Sequence, residues 1–500
     1  MTPNTPNPLT AEEMREIRDG ILGVTRDTVR YRPGSERLPF PAPDSPVVIV
    51  VGGGLMQWES FVQARLLGFR VAMTDRSPEC FMAGHADIFE PIDVFDADAH
   101  VAMVGALRSQ GYHVAGIFVG GIDAEVTAAT VAERCGLPGL RRHTAERCRD
   151  KSLMRMAFDL FGKAPGLKVE WVLANDTTEI PAPLLVALGR DGALVVKPLS
   201  NSASRGVQIV RRLEDLLAAI ERAQEASTGY HTVIVEEYVA GTQHSVEIAR
   251  VGDAWVRLNI VDRVFDTVNP VLELGHLNPT FLQTRESLRI WKRAGDVSQE
   301  DLYELAEAAA EAVGVEWGVF KCDMVVSPTR GPVVLECTAR LSGGFDSQVT
   351  TPLRGLNFVA LGLALATGRT VNPKWHKSYS WEQFACVGVF PPPGEILEVY
   401  TDMDAPSIRF YNQSRYSRGA DIIRFGKGDT IQPYSDCGAR PAFVVRGSDN
   451  DIAYGTHRAW AYAVNCAEHE AEAYRIRLQG DQTRPYIPRA PFNPTTGETP

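Results

Sequence analysis

The sequence predicts an α/β chain that passes into α+β: an N-terminal doubly wound parallel-sheet subdomain followed by α+β subdomains. Three observations carry this. From Pro46, apolar runs of about five residues alternate with helical patterns, as a parallel sheet covered on both faces requires. Beyond about Leu140 the alternation gives way to strand pairs and amphipathic helices. The length of 500 residues suits about three domains, or one molecule of three subdomains.

Composition narrows the function classes. Lysine and arginine number 51 against 62 aspartate and glutamate, a formal charge of −11, with 44% hydrophobic and 23% charged residues. That is ordinary soluble composition, and it excludes collagen, coiled coil and wholesale disorder. The acidic balance argues against a nucleic-acid binder, which needs a basic stripe to displace phosphate counterions. No apolar run approaches the roughly 18 residues of a bilayer span; stretches 47–51 and 358–366 have the length of a core strand and a core helix. The start MTPNTPNPLTAEE has neither the basic nor the apolar region of a secretory signal, so the expected location is cytoplasmic, with no membrane. The 8 cysteines include no CxxC pair and signal neither a zinc site nor a disulfide framework.

Residues 1–43 form an N-terminal extension, helical from Ala11 to Leu22 and Pro-rich from Tyr31 onward. Residues 44–140 hold the parallel-sheet subdomain: VVIVV, a helix after Gly52-Gly53-Gly54, FRVAMTD, a helix around Ala97–Gln110, and HVAGIFV with its own helix. The triple glycine, with Asp75 ending the next strand, invites a dinucleotide reading. Position 57 is Gln, however, so G-x-G-x-x-G is incomplete and the turn is expected to be structural or a small-substrate loop. Residues 141–370 follow: a helix at KSLMRMAFDLF, strands at ALVVKPL and HTVIVEEYV around the helix LEDLLAAIERAQEA, then further strands and the helix SQEDLYELAEAAAEAVG. Residues 371–500 mix Pro-rich turns, short strands and a helix near 455–475 into a β-rich subdomain and tail. Trp58, Trp317 and Trp375 are expected in cores or interfaces rather than as stacking platforms.

The residues that carry chemistry gather in three places. Lys197 ends a buried strand before the loop SNSASRG, which runs through Ser204 to Gly206. Small residues let backbone N–H groups approach an anion, hydroxyls add donors and the lysine adds charge; alone, the hairpin reads equally as a phosphate cradle or a solvated turn. There is no Walker A motif. In VIVEEYVAG, the strand end Glu236-Glu237-Tyr238-Val239 can offer backbone groups at Glu237 and Val239 to an adenine edge, with a carboxylate nearby. Third come Asp323 and Glu336, on two strands joined by the turn SPTRG. Neighbouring strands would set them side by side, where two carboxylates repel unless a cation joins them; Mg2+ is the natural one, Mn2+ the substitute. Arg340, four residues past Glu336, adds a fixed charge for an oxyanion or a transferred phosphoryl group.

Jointly and in this order, Lys151 in D-K-S, Lys197 before a small-residue loop, E-E-Y-V and an acidic pair ending E-x-x-x-R resemble the ATP-grasp superfamily, over about Pro46 to Gly368. The resemblance implies the ATP-grasp fold over residues 141–370, a mobile lid subdomain over ATP at about 185–245 around Lys197, phosphate contacts from Lys151 and Lys197, and one or two Mg2+ ions on Asp323 and Glu336. Within the superfamily the chain is most similar to the carboxylate–amine ligase branch, the L-amino-acid ligases and D-alanine–D-alanine ligases. Its lid loop is serine-rich, ELGHLNPTFL (Glu273–Leu282) resembles their substrate-side loop, and GDTIQPYSDCGARPAFVVRGS resembles their small β-domain. The resemblance implies a carbon–nitrogen ligase that joins a small-molecule carboxylate to an amine, amino acids or related acids, through an acyl phosphate, and a homodimer. The alternatives are a biotin-carboxylase-like or purine-pathway ATP-grasp enzyme, and a nucleotide-binding protein without turnover. Two departures stand out. Thr338 replaces the asparagine that D-alanine ligases carry two residues after the second metal-binding glutamate, and Gln243 replaces a ribose-binding acid, leaving Gln243 or Glu247 to serve. Arg263, His276 and Asp346 are the further candidates on the substrate side, the first two with catalytic roles.

Overall fold

The computed structural model describes residues 38, 40–189, 192–227, 231–290, 296–354, 356–369, 382–399, 406–412, 418–434, 437–448, 451 and 458–478. The helix expected at Ala11 to Leu22, and Trp375, lie outside them.

Among the described residues the strands form four sheets. The first is parallel, in the order β3-β2-β1-β4, from β1 (Val47–Val51), β2 (Arg70–Thr74), β3 (Ile88–Glu90) and β4 (Val114–Val119). β1 is a run of β-branched residues with every side chain buried, as a central parallel strand covered on both faces demands. Helices α1 (Trp58–Leu66) and α2 (Ala97–Ser109) supply crossovers, and α3 (Glu125–Cys135) follows β4. The triple-glycine turn after β1 is filled by protein: the N–H of Gly53 donates to Asp75 Oδ2 at 2.9 Å, and a Cβ on Gly53 would lie 2.2 Å from Cys80 Sγ. Asp75 closes this turn instead of facing a ribose.

Helices α4 (Arg142–Arg149) and α5 (Lys151–Phe161) lead into a separate antiparallel sheet, β5-β8-β6-β7, from β5 (Trp171–Ala174), β6 (Leu194–Pro198), β7 (Gln208–Val210) and β8 (Val233–Glu237). Its core is its own, with Leu184 and Leu188 of α6 (Ala182–Leu188) and Leu216 and Ile220 of α7 (Leu216–Glu225) packed on Val196 and Val235. This layer begins at Trp171, earlier in the chain than residue 185, and stops at Glu237.

The large sheet has nine strands in the order β13-β12-β9-β10-β11-β14-β19-β17-β16. It is built from β9 (Thr242–Val251), β10 (Ala254–Phe265), β11 (Glu273–Asn278), β12 (Gly318–Ser327), β13 (Gly331–Thr338) and β14 (Gln383–Val389). After β15 (Gly394–Val399), the strands β16 (Ser407–Asn412) and β17 (Arg418–Ile423), and after β18 (Thr430–Ile431) the strand β19 (Ala442–Ser448), extend the same sheet instead of founding a new one. β20 (Tyr474–Leu478) completes the small sheet β18-β15-β20. The segment Glu273–Asn278, expected as a loop, is therefore a central strand paired on both sides.

Three buried clusters sandwich the large sheet, one of them around Trp460 against β11, β14 and β19. On one face Phe320, Cys322, Met324 and Val334 meet α5 and α8 (Gln299–Val313). On the other face apolar residues pack beneath α1 and α9 (Phe358–Ala366), but a polar patch interrupts them. That patch is the candidate site.

Candidate active site

Strand periodicity builds the patch. Successive side chains alternate between faces, so Lys321, Asp323 and Val325 share one face while Phe320, Cys322 and Met324 take the core. Register then aligns partners. Glu336 of β13 sits directly opposite Asp323, and Asp323 directly opposite Ser245 of β9. In the next row Thr338, Lys321, Glu247 and Asn259 stand side by side, and on the other flank Gln243, Arg263 and His276 do the same.

The separate sheet roofs this face. Between the two lies a cleft of about 930 Å3, its open mouth included, bounded by Lys151, Lys197, Ser204, Glu236, Asp323 and Glu336. Val195, Ile209, Val239 and Leu335 add an apolar slot, and Glu237, Gln243 and Arg263 reach the same cleft. Such a pairing of apolar walls with a few convergent charges is what a nucleotide pocket needs. The loop after β6 turns through the left-handed region at Ala203 (φ 56°), Ser204 (φ 61°) and Gly206 (φ 73°), the kind of backbone that forms anion-binding concavities. Lys151 Nζ donates to the carbonyl of Asn201 at 3.1 Å and lies 3.7 Å from Glu336 Oε2.

The carboxylate of Glu236 receives Lys197 Nζ at 2.5 Å and Arg155 Nε at 2.7 Å, while Arg155 also caps the carbonyls of Val334 and Leu335. Burial alone would raise this carboxyl; Arg155 and Lys197 overturn that and hold it at about 2. Glu236 thus fixes Lys197 at the cleft. The carboxylate of Glu237 is likewise engaged, by Arg330 at 2.7 Å.

Asp323 accepts from Ser245 Oγ at 2.5 Å and is bridged by Lys321 at 2.6 Å and Arg263 at 2.9 Å. Burial works against its charge, but these cations hold it well below the usual carboxylate range. Arg263 also clasps Glu273 at 2.8 Å. The Glu336 side chain is 45% exposed, so its oxygens face the cleft. Among the described residues no three His, Cys, Asp or Glu side chains gather to hold a metal by themselves. Two opposed carboxylates suit a hard divalent ion that completes its shell with phosphate oxygens and water, so the residues fit Mg2+.

Behind the acid pair the cleft continues into a chamber of about 390 Å3, its opening included, that holds Arg340, Asp123, Glu125, Arg149 and Lys321. Arg340 is fixed by Asp123 at 2.5 Å, which also lies 3.5 Å from Arg149 and accepts from Ser202 of the lid loop. Burial disfavours the charge of Asp123, and the two arginines with Ser202 more than restore it.

Two candidates stand apart. Glu247 is not among the residues that bound the cleft; it is buried, with Oε1 accepting from Ser342 N–H at 2.8 Å and Ser347 Oγ at 2.9 Å. Burial and then Asp346 push it up to about 7. His276 is buried one strand beyond Arg263, 3.4 Å from Asp346 Oδ1 and from Thr350 Oγ1. Asp346 accepts from Asn278 at 2.6 Å and Asn259 at 3.2 Å, and Arg354 bonds the oxygens of both asparagines. Sequence reading missed Arg155, Lys321, Asp123 and Glu125. Lys321 was findable, because K-x-D on a strand puts both side chains on one face. Arg155 was findable too, one helical turn beyond Lys151.

A roof sheet closing on a polar antiparallel face, with a parallel-sheet layer beside it, is the architecture of the ATP-grasp fold. No family model matches the sequence. Among curated proteins the chain is similar to carnosine synthase 1 of Gallus gallus, 25% identical over 343 residues, covering 64% of this chain and 35% of that protein. The chain thus spans about a third of that relative's length. Among solved structures it is similar to an L-amino acid ligase from Bacillus licheniformis, TM-score 0.63 at 17% identity over 87% of this chain and 100% of that one. The biotin carboxylase domain of Hydrogenobacter thermophilus 2-oxoglutarate carboxylase, in complex with MgADP and bicarbonate, matches at TM-score 0.60 and 17% identity, covering 86% of this chain and 90% of that one.

Proposed function

We propose that this protein is an ATP-dependent carboxylate–amine ligase that joins amino acids or related acids in an amide bond through an acyl phosphate, releasing ADP and phosphate. The observation that carries the reading is the register pair Asp323 and Glu336 at the floor of a cleft whose roof holds Lys197 and whose edge holds Lys151. The names of the similar proteins, a synthase and an amino-acid ligase among them, support it.

The adenine lies in the apolar slot along β8, with Gln243 near the ribose. Lys151 and Lys197 draw charge from the phosphates, and Glu236 with Arg155 keeps Lys197 aimed there. Asp323 and Glu336 would hold Mg2+, which supplies charge neutralisation on the phosphoryl oxygens. The substrate carboxylate attacks the γ-phosphorus in line, and the amine then attacks the acyl carbon. Arg340, positioned by Asp123, stabilises the oxyanion of that second step. The Ser202 contact to Asp123 closes the lid over the chamber, which protects the acyl phosphate from water.

Phosphate release from MgATP on addition of pooled amino acids, with mass-spectrometric detection of condensation products, tests the reading. Release must depend on a carboxylate and vanish in Asp323→Asn and Glu336→Gln. No release with any carboxylate would overturn it.

A further inference from the structure

The inner chamber holds a carboxylate whose bonding is incomplete. Glu125 opens α3, is 5% exposed and lines the chamber beside Asp123 and Arg340. Its Oε1 accepts from Thr338 Oγ1 at 3.3 Å, whereas its Oε2 is buried with no hydrogen-bond partner. Buried polar atoms are nearly always satisfied, and apart from the backbone N–H of Glu125 itself, which bonds its carboxylate, no described residue offers this oxygen a donor. The same glutamate borders a second hollow of about 540 Å3, its open mouth included, and that one is apolar: Ile117, Ala128, Ala132, Leu140 and Trp317 line it. A carboxylate oxygen in want of a donor thus stands between a charged chamber and an apolar hollow.

We propose that Glu125 binds the ammonium group of the amine substrate, whose apolar side chain occupies the second hollow, and takes the proton that frees the amine to attack. This rests on the ligase reading above. Arg340 and Asp123 flank the group, and burial, the largest influence, raises its affinity for a proton above that of a surface glutamate. The step balances. The carboxylate removes one proton from R–NH3+, and the freed lone pair forms the C–N bond to the acyl carbon. The C–O bond to phosphate breaks with its electron pair, and the departing phosphate takes the proton that nitrogen sheds on becoming an amide. The substrate class is a primary amine bearing an aliphatic or aromatic group, as an apolar amino acid does.

Hydroxylamine separates the two half-reactions, because it traps an acyl phosphate as hydroxamate and is already neutral at pH 7. With carboxylate, MgATP and leucine or phenylalanine as amine, Glu125→Gln should lose at least about a hundredfold in amide formation, the scale of a general base. Its hydroxamate rate should stay within about threefold of wild type. Ala128→Phe, which fills the apolar hollow, should raise KM at least about tenfold for leucine and leave glycine and hydroxylamine unaffected, as the loss of about 1.4 kcal/mol of side-chain contact would. If Glu125→Gln depresses hydroxamate and amide formation equally, or neither, the role of Glu125 is overturned. If Ala128→Phe changes KM for leucine and glycine alike, the apolar pocket is overturned, and this variant decides alone should the other fail to fold. A wild type that forms no hydroxamate from any carboxylate overturns the ligase reading, and this proposal with it.

Discussion

Glu236 and Glu247 are equally buried, 2% and 1% exposed, and sit eleven residues apart in the chain, yet one is held at about 2 and the other is pushed up to about 7. Desolvation is the largest influence on both. What separates them is the company. Glu236, at the roof end, has two cations within 2.7 Å, whereas Glu247, toward the far end of the polar face, meets serine donors and the negative charge of Asp346. Burial therefore does not by itself set the state of a carboxylate here. The roof end is built to keep fixed charges in place, and the far end is built to tolerate a proton.

The largest expected effect lies between the two ends. Asp323→Asn combined with Glu336→Gln should lower ligase turnover at least about a thousandfold, since a metal clamp supplies several kcal/mol to phosphoryl transfer. It should also abolish the rise in melting temperature on adding MgATP, measured by thermal denaturation. A retained MgATP shift would mean that the metal binds elsewhere.

Next comes stability. Glu236→Gln leaves Lys197 and Arg155 buried without their counter-charge, at a cost of about 3–5 kcal/mol in urea unfolding near pH 7. Glu247→Gln keeps an oxygen for Ser342 and Ser347 and removes a costly charge, so it should be neutral or stabilising near pH 8. Equal losses from both would erase the distinction between the two ends.

The pH dependence sharpens it further. A folded value of about 2 against an ordinary 4.5 means that Glu236 contributes stability above pH 4.5 that is lost as pH falls toward 2, roughly 3 kcal/mol in all. Glu247, raised from 4.5 to about 7, does the reverse: stability is full below pH 4.5 and declines by up to roughly 3 kcal/mol as pH climbs through 7. Comparing each glutamine variant with wild type across pH 3–8 should therefore flatten opposite limbs of the stability curve.

Much of this was legible in the sequence where the signal is local. The buried run VVIVV, the lysine before a small-residue loop, and two acids on strands joined by a short turn all depend on neighbours within one hairpin or one βα unit. What escaped depends on partners that only the assembled sheets bring together. Arg155 meets Glu236 across 81 positions, and Arg340 meets Asp123 across 217. The assignment of Glu273–Asn278 to a loop failed for the same reason: its polar and glycine residues hide a strand that is stabilised from both sides by β10 and β14. Glu247 was offered to the ribose because it lies near Gln243 in the chain, but they are two rows apart on the sheet face, and only Gln243 lines the cleft.

The smallest expected effect concerns the lid loop, where the roof end meets solvent. Gly206 adopts φ 73°, and a Cβ there would lie 2.4 Å from Ala226 Cβ, so Gly206→Ala strains both the backbone and the packing against the end of α7. A left-handed alanine costs about 1–2 kcal/mol, and the lid should open correspondingly. Ala203 already bears that strain, at φ 56°. Ala203→Gly relieves it while loosening the unfolded chain, and the two contributions nearly cancel, leaving stability within about 1 kcal/mol of wild type. If the strained turn is what aims the loop at phosphate, Ala203→Gly should still weaken nucleotide binding by about threefold in calorimetry, because a freer loop must be ordered again on each binding event. An unchanged affinity would assign the grip on the phosphates to Lys151 and Lys197 alone.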